Sequence, residues 1–533
     1  MKFGTKKAFI NGKIYTSNEK NPWAKSVVTL GNRILFVGSD TNAAMFIDSK
    51  TEVFDLQKKL MLPGFIDSHL HFMEGGFSLM NIDLSNICSK KEFQGAVKTY
   101  INTKRPKWVV GGNWDHQKFD EKNLPNKEWI DSITGNIPVF VTRCDLHMGL
   151  ANSKALELAG INKNTPNPEG GVIEKDRITL ELTGILKDNA MQKVFEIIPV
   201  PSEAECFEAL VLAMREANKN GITSVHDVVY PKDYTVYQEY MKRNKLSCRI
   251  NLIRPINDLE NFTKLKIQHS FGSEYLRMGT LKAFADGSLG SGTAWLFEPY
   301  VDDIENYGLP MDIITDGRLR KWAVEADHCK LQLMIHAIGD RAISEILDIY
   351  EEVIDKNPAW DRRLRLEHVQ HIRKEDIYRM KKLDVIASVQ PYHLCIDGTW
   401  CEKKIGKERL SGTYAFKSLI DTGIKVSFGS DWSAGDLNPM KGIYAAVARR
   451  VDGMKFLESW IPGEKISVEE AVKCYTINAA YTSFEEDLKG SIEMGKFADL
   501  VIISDNIFEI EPEQIKEVHI EHTIFDGKIV YSR

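Results

Sequence analysis

The sequence predicts an α/β protein built on a TIM (β/α)8 barrel, with a composite β-sandwich-like domain from both termini and an inserted subdomain. Three observations predict this fold. The middle of the chain contains eight short apolar runs that end in polar or charged residues in seven cases, and most are followed by a helical stretch. Both ends of the chain are rich in short β-branched runs, and one interval between apolar runs is too long for an ordinary loop.

The two ends of the chain are predicted to form one β-rich domain. Residues 5–55 contain β-branched runs separated by Asn-Gly, Gly-Asn and Gly-Ser turn signals, and the C-terminal stretch has the same character. We therefore predict that residues 1–60 and 485–533 form a composite domain, with two unrelated caps as the alternative. Residues 61–484 then form the barrel.

The middle of the chain carries the barrel signal. Strands that alternate with helices form βαβ units around a parallel sheet, and eight such units match a TIM barrel. Active sites in that fold lie at the carboxyl ends of the strands. The eight runs are LMLPGFIDSH, ITSVHD, CRINLIRP, LKAFADG, LQLMIHAIGD, LRLEHVQH, VIASVQP and IKVSFGSD. The polar residues at their ends are His69, Asp227, Lys282, His336, His368, Gln390 and Asp431.

The interval after the first run is expected to form an inserted subdomain. It spans residues 75–205, contains strand-like pieces of its own, and is far longer than a βα loop needs to be. Because it follows the first strand, we expect it to cover the barrel mouth. The helix after it should begin at Ser202, with Glu205 completing a capping box, and end near Gly221.

Composition and charge exclude several classes of protein. Hydrophobic residues make up 43%, charged residues 27%, and the net charge is -6, so neither nucleic acid nor an anionic membrane is expected as a partner. No signal-peptide core and no apolar run of about 20 residues is present. The 8 cysteines form no C-x-x-C pair. We expect a cytoplasmic protein with a small-molecule substrate, and a homo-oligomer is compatible with these data.

Five residues form a candidate metal site. His69 and His71 are two apart in GFIDSHLHF, so on a strand they share a face, and paired imidazoles suit a metal ion. His336, His368 and Asp431 lie at other predicted strand ends. Taken singly, each is more often a core histidine or a helix cap. A barrel would bring them to one rim, where this ligand set suits zinc or a similar divalent ion.

Lys282 in LKAFADG allows two interpretations of its function. The simpler one is a salt bridge to Asp286. The other is that burial near cations removes its proton, and the neutral amine reacts with carbon dioxide to form a carbamate that bridges two metals.

The chain resembles the amidohydrolase superfamily and, more narrowly, its family-3, YtcJ-like branch, to which N-substituted formamide deformylases are related. The resemblance covers essentially the whole chain. It implies His69, His71, His336, His368 and Asp431 as metal-site residues, Lys282 as a carboxylated bridge between one or two ions, and hydrolysis of C–N bonds, usually amides. The stretches that carry it are LPGFIDSHLHF, GITSVHD, LKAFADGSLGSGTA, HAIGDRA, RLEHVQHI, SVQPYH, FGSDWSAGDLNPMKGIYAAVARR, AVKCYTINAAY and GSIEMGKFADLVIISD.

These residues suit hydrolysis by activated water. A bound metal lowers the pKa of water to about 7, and Asp431 can take its proton and pass it to the leaving amine. No G-x-S-x-G nucleophile motif and no phosphate-binding loop is present.

Substrate recognition is assigned to five further residues. Trp114, Asp145 and His147 lie in the inserted stretch, and Gln390 and His393 follow the seventh run. The resemblance makes them pocket candidates, and loop anchoring or packing within the lid is the alternative.

Two other functions stay open at this point. An amidohydrolase-type deaminase would use one metal and no lysine bridge, but no H-x-x-E follows His336. A non-catalytic metal-binding regulatory protein would have kept the barrel, yet all six site residues are retained.

Overall fold

The computed structural model describes residues 5–229, 231–453 and 459–533, so the first four residues of the predicted terminal domain lie outside the described part. Eight parallel strands form a nearly closed barrel, in which each strand pairs with the next one along the chain. Every predicted run overlaps one of these strands, which confirms the predicted fold class. In order, the barrel strands are Phe65–Leu70, Ile222–Val228, Arg249–Pro255, Leu276–Phe284, Gln332–Ala337, Arg365–His368, Ile386–Val389 and Val426–Phe428.

The eighth and first strands meet through specific hydrogen bonds. Ser68 Oγ donates to the Phe428 carbonyl at 2.8 Å, and Asp431 N donates to the His69 carbonyl at 2.8 Å. A Cβ on Gly429 would lie 2.6 Å from His69 N, so only glycine permits this close approach. The seam therefore places Asp431 directly beside the end of the first strand.

Helices pack their apolar faces against the outside of the barrel, as the alternating pattern predicts. The helix before the second strand begins at Ser202 with the predicted capping box to Glu205. The principal barrel helices are Glu203–Lys219, Pro231–Lys242, Leu259–Leu265, Arg318–His328, Asp340–Lys356, Lys374–Lys382, Phe416–Asp421 and Pro439–Ala448. Two shorter helices, Val468–Cys474 and Ile477–Thr482, follow.

Two sheets contain the strands of the chain ends. Leu60–Pro63 pairs with Leu500–Ile503, so residues from both ends share one sheet, although the predicted domain boundaries stay a prediction. Side chains of both sheets share one apolar cluster that includes Phe9, Leu500 and Ile524. The four-stranded sheet contains Lys6–Ile10, Ser26–Leu30, Arg33–Gly38 and Glu52–Asp55. The six-stranded sheet contains Lys13–Tyr15, Trp23–Ala24, Leu60–Pro63, Leu500–Ile503, Ile520–Phe525 and Lys528–Ser532.

The long interval after the first barrel strand builds its own six-stranded sheet, with separate apolar clusters on its faces. Its strands are Ile82–Asp83, Val109–Trp114, Val139–Arg143, Met148–Ala151, Gly171–Lys175 and Leu182–Asp188. Its helices are Lys90–Lys104, Glu128–Thr134, Ser153–Leu158 and Asn189–Phe195. We call residues 75–205 the insertion.

Candidate metal centre

Three predicted ligands meet at the barrel seam. His69 Nε2 lies 3.5 Å and His71 Nε2 lies 3.4 Å from the same atom, Asp431 Oδ1. One potential ligand atom from each of the three residues falls within 4.8 Å of the others. Two imidazole nitrogens and a carboxylate oxygen around one point form a donor set that divalent ions accept.

Asp431 occupies this position in a left-handed backbone conformation, with a φ of 55°. A non-glycine residue rarely adopts that conformation, and here the hydrogen bond from its N–H to the His69 carbonyl holds it. Burial opposes ionisation of Asp431, but the hydrogen bond from His71 and the nearby histidines outweigh it and hold its pKa well below the usual value. The side chain is therefore a carboxylate.

Two further predicted ligands adjoin this group. The His368 ring centroid lies 4.8 Å from that of His69, and the His336 ring lies 4.5 Å from His368. Burial lowers the pKa of both His336 and His368, so both rings are neutral and can offer a nitrogen lone pair.

Lys282 points into the same cluster. Its Nζ lies 3.5 Å from His69 Nε2, and burial lowers its pKa to about 8 although Glu367 and Asp431 act in the opposite direction. The alternative salt bridge to Asp286 is not formed within the described chain. Asp286 instead accepts hydrogen bonds from the backbone N–H groups of Trp295, Ile338 and Gly339.

Neighbouring acceptors fix which ring nitrogen is free in His69, His368 and His336. His69 Nδ1 lies 2.5 Å from Glu367 Oε2, and His368 Nδ1 lies 2.7 Å from Gln390 Oε1. Since these oxygens accept, each Nδ1 carries the hydrogen and each Nε2 keeps its lone pair. His336 differs, because its Nε2 donates to a backbone carbonyl and leaves Nδ1 as the acceptor.

The sequence analysis missed Glu367 and its partner Arg365. Arg365 Nε donates to Glu367 Oε1 at 2.9 Å, and both side chains are completely buried inside the barrel. Burial opposes ionisation of Glu367, but Arg365 and His69 hold its pKa at about 2. A signal was present in RLEH, where two charged residues two positions apart on a strand share the inward face.

The five predicted recognition residues fall into two groups. Asp145, His147 and His393 line the same cavity as the metal-site residues. Trp114 is fully buried in the core of the insertion, where its Nε1 donates to the Val141 carbonyl at 2.8 Å, and Gln390 lies against His368. Neither of these two is among the described residues that line the cavity.

The cavity above the strand ends has a volume of about 1660 Å³ and is bounded by both the barrel and the insertion. Aromatic and aliphatic side chains of the insertion, including Trp108, Phe140 and Phe195, line part of its wall. The three arginines on its wall are paired with carboxylates of the chain. Arg143 binds Asp115 and Asp145, Arg254 binds Asp258, and Arg318 binds Asp312 and Asp316.

Within the described chain, no helix combines the length and the apolar character that crossing a membrane requires.

Comparison with known proteins shows full-length similarity. The protein family described as "Amidohydrolase family" matches residues 52–531 of this chain. Protein LONG AFTER FAR-RED 3 of Arabidopsis thaliana is 39% identical over 94% of this chain and 87% of its own length. The putative amidohydrolase YtcJ of Bacillus subtilis (strain 168) is 32% identical over 98% of each chain, and the N-substituted formamide deformylase of Arthrobacter pascens is 28% identical over the same shares. An uncharacterized metal-dependent hydrolase from Pyrococcus horikoshii OT3 superposes with a TM-score of 0.77 at 27% identity, over 95% of this chain and 99% of that structure.

Proposed function

The chain belongs to the amidohydrolase family, and from this premise we propose that it hydrolyses C–N bonds other than peptide bonds, in amides or N-substituted formamides. The observation that carries the proposal is the convergence of His69, His71 and Asp431 on one point, with Lys282 beside them. The relative from Arthrobacter pascens, named for its action on N-substituted formamides, supports this choice of substrate.

The donor set fits zinc or a similar divalent ion. His69, His71 and Asp431 would hold one ion, and the neutral rings of His336 and His368 would serve a second ion or complete the first site. His69 and His368 each donate their other nitrogen to a fixed acceptor, an arrangement that accompanies metal-binding histidines in proteins.

Lys282 suits the role of a carboxylated ligand. Its neutral amine would bond to the carbon of carbon dioxide and release one proton, which gives an N-carboxylate with two oxygens. If two divalent ions bind, this anion would offset positive charge that the neutral histidines leave uncompensated. A one-metal deaminase would leave this buried lysine without a function, which favours the hydrolase.

The remaining chemistry is assigned to Asp431. A bound divalent ion would supply an activated water nucleophile at neutral pH and polarise the substrate carbonyl. Asp431 is a carboxylate within the candidate metal group, so it can accept the proton of the attacking water. It can then return the proton to the amine nitrogen, which must gain one before the C–N bond breaks. One group serves as base and then as acid.

The arginines on the cavity wall support an uncharged substrate. All three guanidinium groups on its described wall are engaged by carboxylates of the chain, so none is free to bind a substrate carboxylate or phosphate. The volume of about 1660 Å³ exceeds what a small formamide needs, and the aromatic residues of the insertion suit an apolar N-substituent.

We also propose a cytoplasmic location. All eight cysteines are free thiols in the structure, as a reducing compartment would maintain them.

Elemental analysis combined with a hydrolysis panel tests the proposal. Purified protein should contain zinc or another divalent ion, and it should release amine from formamides and simple amides. Each neutral amide should be paired with the same compound carrying a carboxylate, and the neutral member should react faster. Release of ammonia from amino-substituted rings without any amide hydrolysis would contradict the proposal and favour the deaminase. A metal-loaded protein inactive on the whole panel would favour a non-catalytic function.

A further inference from the structure

One loop connects the candidate metal centre with the insertion. Residues 286–293 follow the fourth barrel strand, which carries Lys282. The Gly287 carbonyl accepts the hydrogen bond from His336 Nε2 at 3.1 Å, and the same nitrogen lies 3.4 Å from Asp286 Oδ1. The first two residues of this loop therefore set the orientation of the His336 ring.

The insertion holds this loop through Asp145. Its Oδ2 accepts hydrogen bonds from Ser288 Oγ and, at 2.9 Å, from Ser291 Oγ. Arg143 NH1 donates to the same oxygen at 2.6 Å, and Arg143 NH2 donates to Asp115 at 2.7 Å. Because Arg143 and Asp115 are buried within the insertion, Asp145 is anchored on one side and bound to the barrel loop on the other.

The backbone of the loop is fitted to this contact. A Cβ on Gly290 would lie 2.4 Å from Arg143 NH1, so the loop lies directly against the guanidinium group. His147, two residues after Asp145, packs its ring 5.1 Å from that of His336. The segment from Arg143 to His147 thus touches both the loop and the histidine that the loop orients.

We propose that Asp145 is a positioning residue of the metal centre. By holding Ser288 and Ser291, it fixes the Gly287 carbonyl and through it the tautomer and ring orientation of His336. The insertion is then a structural part of the metal centre as well as a wall of the cavity. This inference rests on the proposed function in so far as His336 is taken as a metal ligand.

Two variants of the full chain remove the contact from opposite sides. Ser288→Ala/Ser291→Ala removes the donors and leaves the Arg143–Asp145 pair intact, and Asp145→Asn weakens the acceptor. Asp131→Asn is the matched control, because Asp131 also binds a serine of the insertion, accepting from Ser153 N at 2.7 Å and from Ser153 Oγ at 2.8 Å.

The measurements are Co²⁺ affinity after removal of bound metal, the visible spectrum of the Co²⁺ protein, and hydrogen exchange in residues 286–293 and 332–337. Both loop variants should bind Co²⁺ about 10–100-fold more weakly, the usual effect of losing a group that orients a ligand. They should also show an altered ligand-field spectrum and faster exchange in both segments, and the control should show none of these changes.

Unchanged Co²⁺ affinity and spectrum in the serine double variant would overturn the inference, even if its melting temperature fell. If the parent protein binds no metal, the proposed function fails, and exchange still decides whether the loop is held. If Asp145→Asn does not fold, the serine double variant alone tests the inference, because it keeps the buried Arg143–Asp145 pair and leaves no buried charge unpaired.

Discussion

In the proposed mechanism, Asp431 would be both a metal ligand and the proton carrier, because a backbone hydrogen bond to the His69 carbonyl holds it at the seam between the eighth and first strands. Asp431→Asn keeps the shape and one oxygen donor but removes the base. We expect turnover of the best panel substrate to fall by about 10²–10⁴-fold, with the fold and the metal content largely kept. Turnover and metal content are measured on the same preparation. Near-normal turnover by a metal-loaded variant would show that another residue acts as the base, and His368 would be the next candidate.

Lys282 is tested by chemical rescue. Lys282→Ala should abolish measurable activity, because the proposed N-carboxylate ligand could not form. Short carboxylic acids such as acetate or propionate should restore part of the activity, because they place two oxygens in the space that the side chain leaves. Lys489→Ala is a suitable control, since Lys489 is also buried but pairs with Glu485 and does not line the cavity. Carboxylic acids should not restore any activity that this variant loses. No rescue at any acid concentration would argue against the carbamate.

Some buried side chains at strand ends have a structural function. Asp227, at the end of the second barrel strand, accepts hydrogen bonds from Tyr237 OH at 2.5 Å and from Phe72 N at 2.6 Å. Burial raises its pKa to about 7, although both hydrogen bonds act in the opposite direction. A strand-end aspartate in this barrel can therefore join a helix to a strand without taking part in the metal site.

This pKa predicts a pH-dependent contribution to stability. Between about pH 4 and pH 7 the folded protein holds a proton on Asp227 that the unfolded chain releases, so raising the pH lowers the free energy of unfolding by up to about 1.4 kcal/mol per pH unit. Asp227→Asn removes this titration. The stability of the variant relative to the parent should therefore improve as pH rises through this window, as measured by thermal unfolding of both proteins at pH 5 and pH 7. Parallel pH profiles would contradict the raised pKa.

For the molecule as a whole, metal binding should contribute to stability. The candidate ligands lie on or just after the first, fourth, fifth, sixth and eighth barrel strands, so bound metal would join most of the barrel rim. An ion that binds only the folded state adds about 2.7 kcal/mol when its free concentration is 100 times its Kd.

Chelation should accordingly lower the melting temperature, and added divalent metal should restore it. His71→Ala should weaken this response, whereas His519→Ala, at an exposed site that is not part of the cavity lining, should keep it. A melting temperature that is insensitive to chelator in a protein shown to lose its metal would contradict the prediction.

The sequence by itself determined the barrel and the candidate ligands. Strand and helix periodicity are local properties, and in a parallel barrel every strand end faces the same rim, so His69, His336, His368 and Asp431 could be assigned before any contact was known. The capping box at Ser202 was equally local.

Only the tertiary structure decided how those ligands are oriented. His69 and Glu367 are 298 positions apart, and Asp145 and Ser288 are 143 apart, so no local pattern links them. The tertiary structure also showed which recognition candidates reach the cavity. Asp145 and His147 lie on its wall, whereas Trp114 lies in the core of the insertion. The physical reason is that periodicity specifies which face of an element is buried, whereas the partner that a buried polar group finds depends on how distant elements pack.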